Sequence, residues 1–353
     1  MNAWLDARRL KAAEGFRAHG VPHRRVEAWK YSDLRSLIDA QAVEAAGPAQ
    51  WTIESDGVEP IAADGRSAAG AMGEASLAFA KSGFGLRVVK RGRARVTFAT
   101  PGQARVRLVL DPGALFDYVE IAEGDGFQNI GLDVEIGAGA VFTHTRLARN
   151  GGGVRIEDVN ATVAAGGIYR LHVANFGSEI SRMELKIALN GEDAQAHLCG
   201  ASVLSDAHAD VTTHVVHAHG DTTSTQLFKH VATGKARAVY QGKITVAEGA
   251  DGSDSRQTAK GLLLAERAEI DLKPELEILA DDVKCAHGAA VGDLDAESLF
   301  YLRSRGIPEV EARNLLIRAF LEEAFADVTD AAMRALLWDA VESALPQAME
   351  SAP

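Results

Sequence analysis

Cys285 and His287 are the residues with the clearest capacity for chemistry, and they stand two apart. Val283, Cys285 and His287 alternate with Lys284, Ala286 and Gly288, a period-2 pattern. A strand would put the thiol and the imidazole on one face, roughly 7 Å apart. Sulfur and nitrogen donors of this kind suit iron or zinc. Two are too few for a closed site, which needs more thiolate or imidazole ligands. The pair is therefore either half of a site completed across an interface, or a small buried thiol beside a hydrogen-bonded histidine. A second group, His208, His214, His217, His219 and His230, gives no tight three-histidine site by spacing, because His214 faces away from His217 and His219. Neutral histidines exposed along a sheet face are the plainer reading.

Motifs for other chemistry are missing. No phosphate-binding loop occurs, since Thr233-Gly-Lys235 lacks the preceding glycines. The turn at residues 251–254 lacks the ligand series of a calcium loop. Neither a Gly-x-Ser-x-Gly elbow nor paired carboxylates on one face are found. The expectation is a protein that is not an enzyme by itself.

The elements that position Cys285 and His287 follow from the surrounding pattern. In residues 273–306, Leu276, Ile278 and Ala280 alternate with Glu275, Glu277 and Leu279 before the Asp281-Asp282 turn. After Gly292 the period becomes helical, with Asp295 as N-cap and a stripe through Leu299, Tyr301 and Leu302 that stops at Gly306. Upstream, strand-like pieces recur. Turn anchors at Gly139, Gly167, Gly191, Gly220, Gly234, Gly249 and Glu266 fall about 24–29, then about 14–17, residues apart. Such units stack, because one coil cannot bury its inward face alone. The pattern predicts a mainly β protein with a parallel β-helix core and α-helical regions at both ends. An end coil of such a rod is an open edge that a second chain can cover.

The N-terminal portion, residues 2–38, reads as helical, interrupted by Gly20 and Pro22; Glu27, Trp29, Tyr31 and Asp33 form an aromatic pair among charges that reads as a docking turn. Residues 50–104 hold short β-like pieces, Leu86 to Val89 and Arg95 to Phe98, and a small-residue segment from Ala62 to Ala80 that fits helix or loop; they are the least legible. After Gly306, Pro308 opens a helix with a broad apolar surface including Leu316 and Phe320, and Thr329-Asp330 caps another. Together these helices carry more apolar surface than a pair can bury, which predicts either docking on the body or a partner. The resulting division is 1–104 as an N-terminal helical and mixed region, 105–292 as the β-helix core, and 293–353 as a C-terminal helical domain.

Composition narrows the class. The chain has 353 residues, 47% hydrophobic and 24% charged, with two cysteines and a net charge of −12. It is rich enough in apolar residues to fold, too acidic for a nucleic-acid face, and too poor in cysteine for a disulfide framework, which predicts a reducing cytoplasm. Glycine at 34 with only 6% aromatics fits short strands and repeated turns.

The run KPELEI-ADDVKC-HGA-VG-LD-E-LFYLRSRGI resembles the C-terminal signature of the SufB/SufD family, scaffold proteins of iron–sulfur cluster assembly. The Glu27-to-Leu34 stretch resembles the E-x-W-[KR]-Y-[ST]-D-L segment of SufD-type chains, and residues 213–223 resemble a family coil pattern, with His230 where a glycine is expected. Gly288 stands where the SufB branch has an acidic residue, and Ala259 stands where SufB has a cysteine before the hydrophobic run at Leu262. Both differences favour the SufD branch. The resemblance implies a right-handed β-helix that pairs with a SufB-like paralogue and docks a SufC-like ABC ATPase. It implies no permanently bound cofactor, but a transient iron–sulfur cluster at the heterodimer junction, with His287, and less firmly Cys285, among its ligands. It places the ATPase contact on Phe300, Tyr301, Arg303, Ser304, Arg305, Gly306, Leu316 and Phe320. In isolation the chain would be able to form a homodimer. Two rival readings are a SufB-like homo-oligomer that holds a cluster by itself, and a carbohydrate-active β-helix enzyme, which would require clustered acids on one face.

Overall fold

The computed structural model describes residues 3–350 apart from 65–67, 69 and 150. Its body is a parallel β-solenoid built from two sheets that the chain visits alternately. One sheet holds β3 (Ser82–Val88), β5 (Gly102–Leu110), β7 (Gln128–Ile136), β9 (Val154–Val163), β11 (Ile180–Leu189), β13 (His208–His217), β15 (Arg237–Val246) and β17 (Glu269–Ile278). The other holds β4 (Arg91–Phe98), β6 (Leu115–Ala122), β8 (Val141–Ala148), β10 (Ile168–Asn175), β12 (Gln195–Ser205), β14 (Thr223–Thr233), β16 (Asp254–Leu263) and β18 (Lys284–Gly292). Every pairing among these sixteen is parallel and in constant register, so that Val141, Ile168, Gln195, Thr223, Asp254 and Lys284 stand in one column. The parallel stack therefore begins at Ser82, well before residue 105, and the 104/105 division falls inside β5.

Side chains of successive coils stack inside the rod, and the columns change character along it. Phe116, Phe142 and Tyr169 are followed in register by Ala196, Ser224, Ser255 and Cys285. The neighbouring column runs Tyr118, His144, Leu171, Leu198, Gln226, Gln257 and His287. In these two columns aromatic contacts such as Phe142 to Tyr169, 5.2 Å between ring centres, fill the early coils and small or polar groups the late ones, although Phe228 and Tyr240 still stack at 4.7 Å in the late coils.

The helices lie on the outer faces. On the first sheet sit α1 (Ala3–His19), α2 (Ala40–Ala45) and α3 (Gly70–Phe79), where Phe16, Trp29, Leu34, Val43 and Met72 pack on Val154, Ile156 and Ile180. Residues 20–38 are not a continuing helix. Gly20 turns the chain with φ +69°, and beyond Pro22 only two short 3₁₀ turns form. This strap crosses the sheet. Trp29 is buried under the Arg182 guanidinium at 4.2 Å, Ser32 donates to Asp210 Oδ2 at 2.5 Å, and Lys273 meets Glu27 at 2.6 Å. On the second sheet, α5 (Glu309–Glu322) and α6 (Ala331–Glu350) bury Ile317, Leu321, Leu337 and Val341 against Leu147, Ala174, Val203 and Val231. Between the solenoid and α5 lies α4 (Ala296–Ser304), which has no buried residue.

Candidate functional site: the open terminal coil

The two ends of the rod are built differently. At the N-terminal end, β1 (Trp51–Asp56) and β2 (Glu59–Ile61) pair antiparallel with β4 and β3. At the C-terminal end, among the described residues, β17 pairs only with β15 and β18 only with β16. The last coil is accordingly exposed along β18 and for much of β17.

Backbone alternation tells which groups face that edge. Lys284 N–H donates to Ser253 O at 2.9 Å, so Lys284, Ala286, Gly288 and Ala290 turn their backbone toward β16. Cys285, His287, Ala289 and Val291 then turn their N–H and C=O groups outward, while their side chains continue the interior columns. On β17 the same counting from Glu269 N–H, which donates to Ala236 O at 2.9 Å, leaves Pro274 with its nitrogen toward the edge. No ladder bond is lost there, which is where a strand tolerates proline, and that edge is blunted. The β18 edge carries no such block.

Sequence reasoning placed Cys285 and His287 together, and both stand on the interior face of this uncovered coil. His287 is exposed; Cys285 is half-buried against Ile244, Val246 and Ala250. Burial pushes the Cys285 thiol up, with the Asp254 charge adding to it, so the isolated chain holds a protonated thiol rather than a ready nucleophile.

A polar interior that the sequence reading missed lies directly beneath the pair. Under Cys285, Ser255 Oγ meets Ser224 Oγ at 2.7 Å, and Ser224 Oγ meets His217 Nε2 at 2.9 Å. Under His287, Gln257 Nε2 donates to Tyr240 Oη at 3.0 Å, and Tyr240 donates to Gln226 Oε1 at 3.0 Å. Gly242 makes room for this chain, since a Cβ there would lie 1.9 Å from Gln257 Nε2. Gln257 Oε1 is buried and has no partner. The signal was available: serines and glutamines recur on the inward parity of β14 and β16, where apolar residues would ordinarily stand.

The histidine group does not converge. His217 is buried and bonded to Thr222 and Ser224, His208 bonds Ser32 at 2.9 Å, and His214 bonds Thr245 at 3.0 Å on the outer face. His219 is exposed, and His230 is buried with neither ring nitrogen paired. The expectation that these rings line an exposed face is corrected for His208, His217 and His230, because β13 and β14 point His217 and His230 into the core and the strap covers His208. The second cysteine, Cys199, packs beneath the C-terminal helices, and burial pushes its thiol up to about 12.

The residues read as an ATPase contact divide in two. Phe300 and Tyr301 are 74% and 56% exposed, Arg305 stacks on Tyr301 at 5.1 Å, Arg303 pairs with Glu309 at 3.2 Å, and Ser304 donates to Tyr301 O. Gly306 closes α4 with φ +88°. Leu316 and Phe320 are half-buried, and Phe320 faces the solenoid, with Lys229 Nζ 4.4 Å from its ring centre.

Residues 95–320 match the family model for the SUF system FeS cluster assembly, SufBD core domain. The chain is 29% identical to iron-sulfur cluster assembly protein SufD of Escherichia coli, over 93% of this chain and 90% of that protein. It is 35% identical to a SufBD family protein of Synechocystis over 60% of this chain, spanning 47% of that relative. A chloroplastic protein of Arabidopsis thaliana, ABCI7, is 32% identical over 62% of this chain and 48% of its own length. The matched span takes in the solenoid from β4 to β18 and on into α5. With a parallel solenoid ending in an uncovered Cys–His strand, the chain belongs to the SufBD family of iron–sulfur cluster assembly proteins.

Proposed function

We propose that this chain is a non-catalytic, SufD-like scaffold subunit whose open terminal coil pairs with a SufB-like paralogue. The single observation that carries the reading is the β18 edge: four residues present free backbone groups outward, and two of them, Cys285 and His287, aim metal-binding side chains at the same opening. A partner strand laid on that edge satisfies the backbone and encloses the side chains in one step. The partner supplies the remaining ligands for a nascent cluster, since two donors cannot hold one alone. Polar rather than apolar side chains, Ser255 and Gln257, lie next beneath the pair in its two columns. On the outside, Phe300, Tyr301, Val310 and Leu315 form an exposed apolar surface on α4 and α5, suited to a SufC-like ABC ATPase whose hydrolysis cycle moves the junction. Leu316 and Phe320 support that surface from behind. No helix among the described residues is long and apolar enough to cross a membrane.

Co-expression with the two proposed partners tests this. The expected result is a stable ternary complex that carries iron and sulfide after anaerobic reconstitution. His287→Ala should still assemble but lose most of the cluster. A monomer that never joins the paralogue, or His287→Ala with full cluster yield, overturns the pairing or the ligand role respectively.

A further inference from the structure

A second group of ligand-type side chains lies deep in the rod, far along the sequence from β18. Glu120 comes from β6, His144 from β8, and Glu157 from β9 of the opposite sheet. One ligand atom from each lies within 4.8 Å of the others, and all three residues are at most 1% exposed. Three buried polar atoms there, Glu120 Oε2, His144 Nε2 and Glu157 Oε1, make no hydrogen bond of normal geometry, although the Glu120 and Glu157 carboxyls are close enough to share a proton. Buried polar atoms are nearly always paired, so this many orphans on one spot calls for an occupant.

We propose that Glu120, His144 and Glu157 bind one divalent transition-metal ion inside the solenoid, separate from Cys285 and His287. The imidazole is already oriented, because its Nδ1 meets Tyr169 Oη at 3.0 Å and leaves Nε2 facing the cluster. Arg146 holds Glu157 through the other carboxylate oxygen, so Glu157 Oε1 remains for the ion. The free atoms stand apart, His144 Nε2 and Glu120 Oε2 by 3.9 Å. Ligands about 2.1 Å from a common ion lie roughly 3.0–3.4 Å from each other, so side-chain shifts under about 1 Å close the site. Oxygen and imidazole donors without thiolate select an ion of the manganese-to-zinc series rather than copper(I). Tyr118 Oη and Arg146 Nη1 are also unpaired. Two competitors exist: a buried water, which would satisfy donors and acceptors alike, and a proton on Glu120, whose carboxyl burial and the neighbouring Glu157 charge push well above the ordinary range. Because the group is sealed, the ion has to enter as the coils close.

The full chain is therefore produced in medium supplemented with cobalt(II), then desalted. The expected result is one cobalt per chain with visible absorption bands, and X-ray absorption showing nitrogen and oxygen but no sulfur neighbours. The Cys285→Ser/His287→Ala double variant should keep the metal, and the isosteric Glu120→Gln should lose most of it while retaining its β-sheet circular dichroism. Desalted wild-type protein with only trace cobalt overturns the site in favour of water or a proton shared by the two carboxyls. So does cobalt that disappears with the Cys285/His287 double variant, or sulfur in the X-ray spectrum of the wild type; neither of these last two measurements depends on Glu120→Gln folding.

Discussion

The early and late coils of the rod obey one register yet do opposite work. The early coils are packed from both directions: Phe142 sits between Phe116 at 5.8 Å and Tyr169 at 5.2 Å, and is fully buried. They are closed below by antiparallel β1 and β2, where Pro60, Glu54 and Asp56 discourage further pairing. In the same two columns the late coils trade aromatics for Ser224, Ser255, Gln226 and Gln257, and among the described residues no strand covers the last coil. One end is closed and tightly packed; the other is open, as the proposed pairing requires. That contrast makes the sharpest expectation easy to state. Phe142→Ala should cost about 3–5 kcal/mol, a large-to-small change in a site walled by rigid strands. Urea unfolding checks it, and a loss under about 1 kcal/mol would mean the early coils are not the anchor.

How far this was legible from residues alone depends on the range of the interaction. The stacked coils were readable, because turn anchors recur at coil and half-coil spacing along one strand-rich stretch. The cap of α4 was readable too: Asp295 Oδ1 accepts from Ser298 N–H at 2.7 Å, a contact three residues long. The Cys285–His287 face needed only period 2. Two things were not local. The first coils were legible only as short β-like pieces at Leu86 to Val89 and Arg95 to Phe98, inside β3 and β4; that they join the parallel stack depends on their pairing with β5 and β6. Glu120, His144 and Glu157 were hidden because their meeting joins two sheets across the core, although Glu120 stands on the otherwise apolar inward parity of β6, and His144 shares the inward parity of β8 with Phe142 and Arg146.

The next largest effect should fall on pairing instead of folding. Ala289→Pro removes an edge-facing N–H from β18 while leaving the bonds to β16 in place. Binding to the SufB-like partner should weaken at least about tenfold, equal to about 1.4 kcal/mol. Thermal unfolding of the isolated chain should move little. Titration calorimetry reads the first and differential scanning fluorimetry the second; equal affinity would locate the junction away from the β18 edge.

Acid sharpens the same contrast through the interior histidines. Burial pushes His217 and His230 each to about 4, far below the ordinary value of 6.5. A depressed folded-state value means that the unfolded chain takes up the proton first. Each ring's contribution is therefore intact above pH 6.5 and is lost as pH falls toward 4. His230 is faced by Tyr240, with its ring centre 6.4 Å away, and by the charge of Asp210, which opposes the shift only weakly. Replacing it by Leu should flatten the stability slope in that window by about 1.4 kcal/mol per pH unit, one proton's worth. Stability at neutral pH should hold or rise, because two unpaired ring nitrogens are removed from the core. Urea midpoints from pH 4 to 7 check it, and an unchanged slope would show His230 charging freely in the folded state.

The smallest effect belongs to the last coil, where a matched pair of valines isolates position from chemistry. Val96 and Val291 are both inward on the second sheet, but Val96 is fully buried in the closed end and Val291 is 46% exposed at the open one. Truncating Val96 to Ala deletes two buried methyl groups and leaves a void that β4 and β6 cannot collapse around, so about 2 kcal/mol should be lost. The same change at Val291 removes area that water already reaches, and should cost about 0.5 kcal/mol or less in the isolated chain. Under the proposed pairing Val291 becomes interior. Its truncation should then begin to cost stability as Val96 does, read as a drop in the melting temperature of the complex and not of the free subunit. If Val291→Ala is as harmless in the complex as outside it, the partner does not continue the interior column, and the terminal coil stays open even when its edge is paired.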